Sequence, residues 1–219
     1  MIEDQIQQIK QKLKLAKEKD ANRQVFGAGS HKYELNPPLN IEIVEAFEKI
    51  FQIQLPECYR AFVLNVGNGG SSYLKSGAGP FFGIYPLGQS LDDLIYHDVE
   101  KHLSGDCKLY PSITEAQWEE LIDFMINDED IPDEEFDKLN GSLYAGLLPL
   151  GSQGCTYIHA LVLNGPHQGM VVNLDRGGDT PPTFSKDKNF LDWYERWLDE
   201  IISGKLIRTS PSWFGYSQD

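Results

Sequence analysis

The sequence predicts an α+β fold, and three observations lead there. Apolar residues recur at helical spacing through the first two-thirds of the chain. Three short runs rich in β-branched residues crowd into the last third, two of them separated by "NGPHQG", the kind of turn that joins a hairpin. No interior stretch is long enough to divide the chain, so residues 1–219 read as a single domain with antiparallel strands and an acidic helical insertion.

The elements follow in chain order. An N-terminal amphipathic helix occupies about 1–21, with Ile2, Ile6, Ile9, Leu13 and Ala16 on one face. Glu3, Asp4, Glu18 and Asp20 dilute its basic side, which favours packing on the domain over a membrane surface. After a loop rich in Gly and Pro, Asn40 is placed to cap a helix whose apolar set is Ile43, Val44, Phe47, Ile50 and Phe51. Pro56 opens the next, with Tyr59, Phe62, Val63 and Val66 inward. "GPFFGIYPLG", 79–88, reads as a buried strand. Ser90 with Asp93 opens a helix carrying Leu91, Leu94, Ile95 and Leu103; Thr114 with Gln117 forms a capping box for a helix with Trp118, Leu121, Ile122 and Met125 inward. "NDEDIPDEEFDKL" continues as a loop with one more helical turn. "LLPLGS", "TYIHALVLNG" and "GMVVNLDRGG" supply strands, and Phe190, Leu191, Tyr194, Trp197, Leu198 and Ile201 define a last amphipathic helix ended by Gly204. The tail, 204–219, holds Trp213, Phe214 and Tyr216 and is expected to dock back onto the body.

The glycines of "LPECYRAFVLNVGNGG" raise the possibility of a phosphate cradle. Their position excludes it: they follow a helix end, where carbonyls point outward, whereas phosphate loops precede a helix N-terminus. Gly67 is therefore assigned to a left-handed helix stop, and "GNGG" to a turn needing positive φ at more than one place.

With 41% hydrophobic and 11% aromatic residues the chain is an ordinary folded protein. It lacks a signal-like apolar run near its N-terminus and any window resembling a membrane span, so the cytoplasm is the expected location. Three cysteines without C-x-x-C spacing, Cys58, Cys107 and Cys155, are expected to be buried thiols, not a disulfide framework or a zinc site. The formal charge of −14 has a location: the segment 92–137 carries 16 acids against Lys101 and Lys108, and the remainder sums to zero. Nucleic acid and anionic membrane are thereby disfavoured, and a basic protein partner favoured. The acids assigned to that partner surface are Glu119, Glu120, Asp123, Asp128, Glu129, Asp130, Asp133, Glu134 and Glu135.

No catalytic, cofactor or metal constellation emerges. None of the five histidines has metal-ligand spacing. Cys155 and His159, four apart on an extended segment, share a face but stand too far apart to act as nucleophile and base. Nothing in the acidic segment suggests the apolar burial that would raise a carboxylate pKa.

The stretch "FGAGSHKYELNPPLNIEIVEAFEKIFQIQLPECYRAFVLNVGNGG", followed by "GAGPFFGIYPLG", resembles the SUKH superfamily, in its bacterial branch related to the yeast cell-wall-synthesis regulator Smi/Knr. "LLPLGSQGCTYIHALVLNGPHQGMVVNLDR" and "FLDWYERWLDEI" resemble later blocks of the same family. The resemblance implies a mixed, mainly antiparallel sheet with helices packed against it. It also implies a non-enzymatic binding role: an immunity protein that neutralises a cognate polymorphic toxin, often a nuclease. The alternative it offers is a regulatory scaffold. Pro56, Tyr59, Phe62, Gly67, Gly69, Gly70, Gly83 and Trp193 would then be structural signature residues.

Overall fold

The computed structural model describes residues 2–94, 99–126 and 131–216. Its centre is an antiparallel meander of four strands, β1 (Leu147–Gly154), β2 (Tyr157–Val162), β3 (Val171–Asp175) and β4 (Thr183–Phe184), in the order β1-β2-β3-β4. The register of β1 against β2 shifts between Pro149 and Gly151 and again between Ser152 and Gly154. A proline is compatible with this strand because β1 is at the sheet edge and irregular there.

Both faces of the sheet are covered, which is why β2 and β3 are buried almost throughout instead of alternating. Leu148, Leu150, Leu161 and Val171 join a core built on α9 (Phe190–Ile202), α4 (Glu57–Asn65) and α1 (Ile2–Lys19). Leu147, Ile158, Ala160, Val162, Val172 and Leu174 face a second core with Leu94, Trp118, Ile122 and Leu143. The result is a helix–sheet–helix sandwich in one α+β domain.

In the first layer α9 is the keystone. All six residues of the predicted stripe are buried, Trp193 is buried beside them, and Asn189 caps the helix by accepting from Leu191 N and Asp192 N. Burying side chains of this size contributes roughly 1.5–3 kcal/mol each. Helix α1 lies along α9 through Ile6, Ile9 and Ala16, with Lys12 Nζ bridging Glu195 and Asp199 at 2.8 and 2.6 Å. The tail docks as expected. Trp193 Nε1 donates to Phe214 O at 3.0 Å, and the Arg196 guanidinium lies 3.9 Å from the centre of the Tyr216 ring.

Several expectations are corrected. Helix α3 (Ile41–Phe51) buries only Val44 fully; Phe47 and Phe51 pack partly, and Ile43 and Ile50 stand 52% and 64% exposed, while Asn40 makes no side-chain cap bond. Gly67 has no positive φ: it is glycine because a Cβ there would come within 2.7 Å of Leu35 Cβ and 2.8 Å of Asn36 O. Gly69, at φ 61°, is the one left-handed residue of that turn. "GPFFGIYPLG" is not a strand. Phe81 and Gly83 have positive φ, which breaks the extension, and the segment makes a single bridge, Gly77 to Ile84, before Tyr85 N donates to Leu150 O at 2.7 Å.

The helix expected from Ser90 begins instead as a short 3-10 turn, Leu91–Asp93; α5 is described over Val99–Leu103, and Ile95 lies outside the described residues. Ser90 is itself left-handed at φ 56° and makes no cap bond. The segment expected to be loop and one turn carries an eleven-residue helix, Asp133–Leu143. Of the cysteines, Cys58 alone is fully buried; Cys107 is partly buried and Cys155 exposed.

Candidate partner-binding face

The second helical layer holds the described acids that the sequence assigns to a partner surface. Helix α6 (Glu115–Leu121) begins with the predicted capping box: Gln117 N donates to Thr114 Oγ1 at 3.3 Å and Thr114 N to Gln117 Oε1 at 3.0 Å. Its inner face is fixed by Trp118, whose Nε1 donates to Gly178 O at 2.8 Å, so that Glu115, Glu119 and Glu120 are turned to solvent. α7 (Asp123–Ile126) follows with Asp123 exposed, and α8 (Asp133–Leu143) packs beside it through Phe124 and Phe136, whose rings are 5.5 Å apart. Asn140, buried, donates to Leu94 O at 3.2 Å and ties α8 to the Leu94 segment.

Asp133, Glu134 and Glu135 are exposed and form the first turn of α8. Carboxylates there stabilise the helix against its own dipole, a structural task that the sequence reading did not give them. Asp128, Glu129 and Asp130 lie outside the described residues.

Between α6 and the turn after β3 is a depression of about 390 Å³. Trp118, Ile122, Met125 and Phe136 give it apolar walls, and Glu115, Glu119 and Asp179 set carboxylates around it; among the described residues no lysine or arginine lines it. Glu119 is the predicted residue that the fold brings here. Glu115, in the same helix, and Asp179, over fifty residues along the chain, were not singled out from the sequence. The first follows from the capping box that fixes the phase of α6, whereas the second depends on the bond from Trp118 to Gly178 and carries no local signal.

One acid departs from the expectation that none in the segment would be buried enough to shift. Asp93 is half-buried, and burial raises its pKa although Tyr85 and Arg176 act against the shift.

The Cys155–His159 pair does not form. Cys155 is exposed in the turn between β1 and β2, whereas His159 is fully buried on the sheet face toward Trp193, ring centroids 5.1 Å apart. Its Nδ1 lies 2.6 Å from Asn173 Oδ1, a bond that assigns the proton to Nδ1, and burial lowers its pKa to about 3. Such an imidazole is locked and neutral. Among the described residues no group of three or more His, Cys, Asp or Glu is arranged to hold a metal ion, and no helix is long and apolar enough to cross a membrane.

An antiparallel sheet clad on both faces, with exposed acids on the helical layer of one of them, defines a single α+β domain. The chain belongs to the SMI1 / KNR4 family (SUKH-1), which it matches over residues 38–196. SUKH domains are generally non-catalytic and of immunity type, and membership is consistent with a toxin-immunity or Smi1-like role. No curated protein and no solved structure matches the chain. All of α1 and all of the docked tail lie outside the matched span.

Proposed function

We propose that this SUKH protein is an immunity protein that neutralises a cognate toxin, of the nuclease kind, by direct binding through its acidic face. The observation that carries the reading is the confinement of the whole −14 charge to residues 92–137. The described acids of α6, α7 and the start of α8 are exposed on one helical layer, and Glu115 and Glu119 border a depression with apolar walls. A nuclease holds phosphate with lysine and arginine, so a carboxylate face steers association and then occupies the substrate's place.

The surface comprises Glu119, Glu120, Asp123, Asp128, Glu129, Asp130, Asp133, Glu134 and Glu135, to which Glu115 and Asp179 are added. The flanks 1–21 and 204–219 belong to the same domain as extensions on α9. The site of action is the cytoplasm.

The test is a kinetic binding series with a nuclease toxin encoded beside the gene, at two salt concentrations. The comparison is a variant with Glu119 and Glu120, exposed on α6 beyond its first turn, changed to Gln. Asp133–Glu135 stay intact, because neutralising them would remove roughly 0.3–1 kcal/mol of helix stabilisation each. The expected result is an association rate lower by about tenfold or more and a flatter salt dependence, with circular dichroism unchanged. An unchanged rate and salt slope would overturn the acidic face. Binding of host proteins with no protection against the toxin would return the regulatory scaffold.

A further inference from the structure

A second concave site opens on the other side of the turn that follows β3. It is a cleft of about 410 Å³ between the segment around Tyr73–Phe82 and the β1–β2 turn. Tyr85, Asp93, Ser152 and Ile158 line it together with the rings of Tyr73 and Phe82. Tyr85 and Ile158 are buried, whereas Tyr73 is 68% exposed.

The polar chemistry centres on Asp93. Tyr85 donates its hydroxyl to Asp93 Oδ2 at 3.1 Å. Arg176 is nearby but committed elsewhere. It donates to the carbonyls of Asp93, Thr156 and Cys155 at 3.1, 3.3 and 3.3 Å, which leaves it 3.7 Å from Asp93 Oδ1. Among the described residues the carboxylate thus has one hydrogen-bond donor, Tyr85, and one ion-pair partner, Arg176, held at 3.7 Å. Burial raises its pKa in spite of both, the mark of a charge whose desolvation is under-compensated.

The backbone around the cleft is unusual too. Leu74 and Cys155, both lining it, have φ 52°, and their neighbours in the same loops, Lys75 and Phe81, have φ 59° and 52°. Left-handed backbone at residues other than glycine concentrates at ligand clamps and binding sites, where the surrounding structure holds it in place. Three independent features therefore converge: a cavity, exposed aromatic surface and strained backbone.

We propose that this cleft receives an arginine side chain of the protein partner, its guanidinium on the Asp93 carboxylate and its plane against the rings of Tyr73 and Phe82. This assignment rests on the immunity reading, which makes the partner basic. The cleft and the acidic depression flank one turn, Arg176 lining the first and Gly177, Gly178 and Asp179 the second, so a single partner surface spans both. Arginine suits the cleft better than lysine because a flat, weakly hydrated cation can stack on aromatic faces while it pairs with a carboxylate.

The test needs no toxin. The full chain is titrated with Ac-Gly-Arg-Gly-NH2, Ac-Gly-Lys-Gly-NH2 and Ac-Gly-Glu-Gly-NH2 while backbone amide shifts are followed by NMR. The arginine peptide is expected to give saturable shifts at Tyr73–Lys75 and Gly154–Thr156, the lysine peptide weaker ones and the glutamate peptide none. D93N should weaken the arginine peptide roughly tenfold. Y73A, which removes an exposed ring and keeps the test sound should D93N fail to fold, should weaken it about fivefold. Absence of saturable shifts, equal response to the glutamate peptide, or shifts confined to α6 would overturn the assignment. A negative peptide result removes the arginine cleft alone, and failure of toxin protection removes the immunity reading alone.

Discussion

Asn173 and Trp213 are joined by a hydrogen bond of 2.6 Å from the side-chain amide of β3 to the backbone carbonyl of the tail. The same asparagine accepts from His159 Nδ1 through its Oδ1, at 2.6 Å, and from Gln153 Nε2 at 2.8 Å. One side chain therefore couples the sheet interior to the C-terminal tail. N173L should lose roughly 1–3 kcal/mol of stability by orphaning buried polar groups. Amides of residues 212–216 should exchange faster than in the parent while those of α9 keep most of their protection. Equal loss of protection in both regions would mean that the tail is not a separately anchored unit.

The glycines offer a sharper test of close packing. A Cβ on Gly69 would meet Lys75 O at 2.6 Å and Pro86 Cδ at 2.7 Å, at φ 61°; one on Gly67 would meet Leu35 and Asn36 without any demand on φ. G69A should cost more than G67A, on the order of 1–3 kcal/mol. G29A is the control, since nothing lies within 4 Å of its Cβ position on a short helix, and it should be neutral or stabilising by up to about 1 kcal/mol. Urea midpoints of the three variants check the order.

The cysteines should separate by reactivity. Cys58 is buried with its thiol pKa raised by desolvation, whereas Cys155 is exposed in the β1–β2 turn. A thiol reagent added to the native protein should label Cys155 within minutes and Cys58 only on unfolding. C155S should change stability by no more than about 0.5 kcal/mol, and C58A by roughly 1–2 kcal/mol. Rapid labelling of Cys58 without unfolding would contradict the packing of α4 against α9.

What the sequence disclosed depended on whether the signal was local. The stripes of α1 and α9 and the box at Thr114 and Gln117 are patterns within one element, and the structure reproduces each. "GPFFGIYPLG" has strand composition, but its conformation is decided by what its glycines touch: a Cβ on Gly83 would fall 2.0 Å from Gly77 O. Ile43 and Ile50 have the spacing of a core face, yet α3 lies at the margin, where Val44 is buried and Phe47 and Phe51 pack only partly. The burial of Asp93 and the place of Asp179 beside α6 arise from contacts between distant segments, and no local pattern encodes them.

The last prediction concerns acid. His31 and His159 are both buried, at 3% and 0% exposure, and burial lowers their pKa values to about 4 and about 3. His31 accepts from Tyr33 N at Nδ1, 3.1 Å away, and its Nε2 has no hydrogen-bond partner among the described residues; Asp20, which would favour the protonated form, does not offset the desolvation. In the unfolded chain both imidazoles return to a pKa near 6.5 and take up protons there, whereas the folded protein refuses them. Between about pH 6 and pH 4 the unfolded state therefore binds more protons, and stability falls as pH falls, by about 1.4 kcal/mol per pH unit for each histidine. Asp93 works in the opposite sense, because its raised folded pKa lets the native state take up a proton before the unfolded one does. Urea denaturation at half-unit steps from pH 7.5 to 4.5 should show a plateau above about pH 6.5 and a decline below it. H31Q and H159Q, each uncharged throughout, should be less stable at neutral pH but lose less on acidification, so their curves approach the parent's as pH drops. A parent curve that stays flat to pH 5 would show that the folded protein protonates these histidines at their ordinary pKa, and with it that their burial is incomplete in solution.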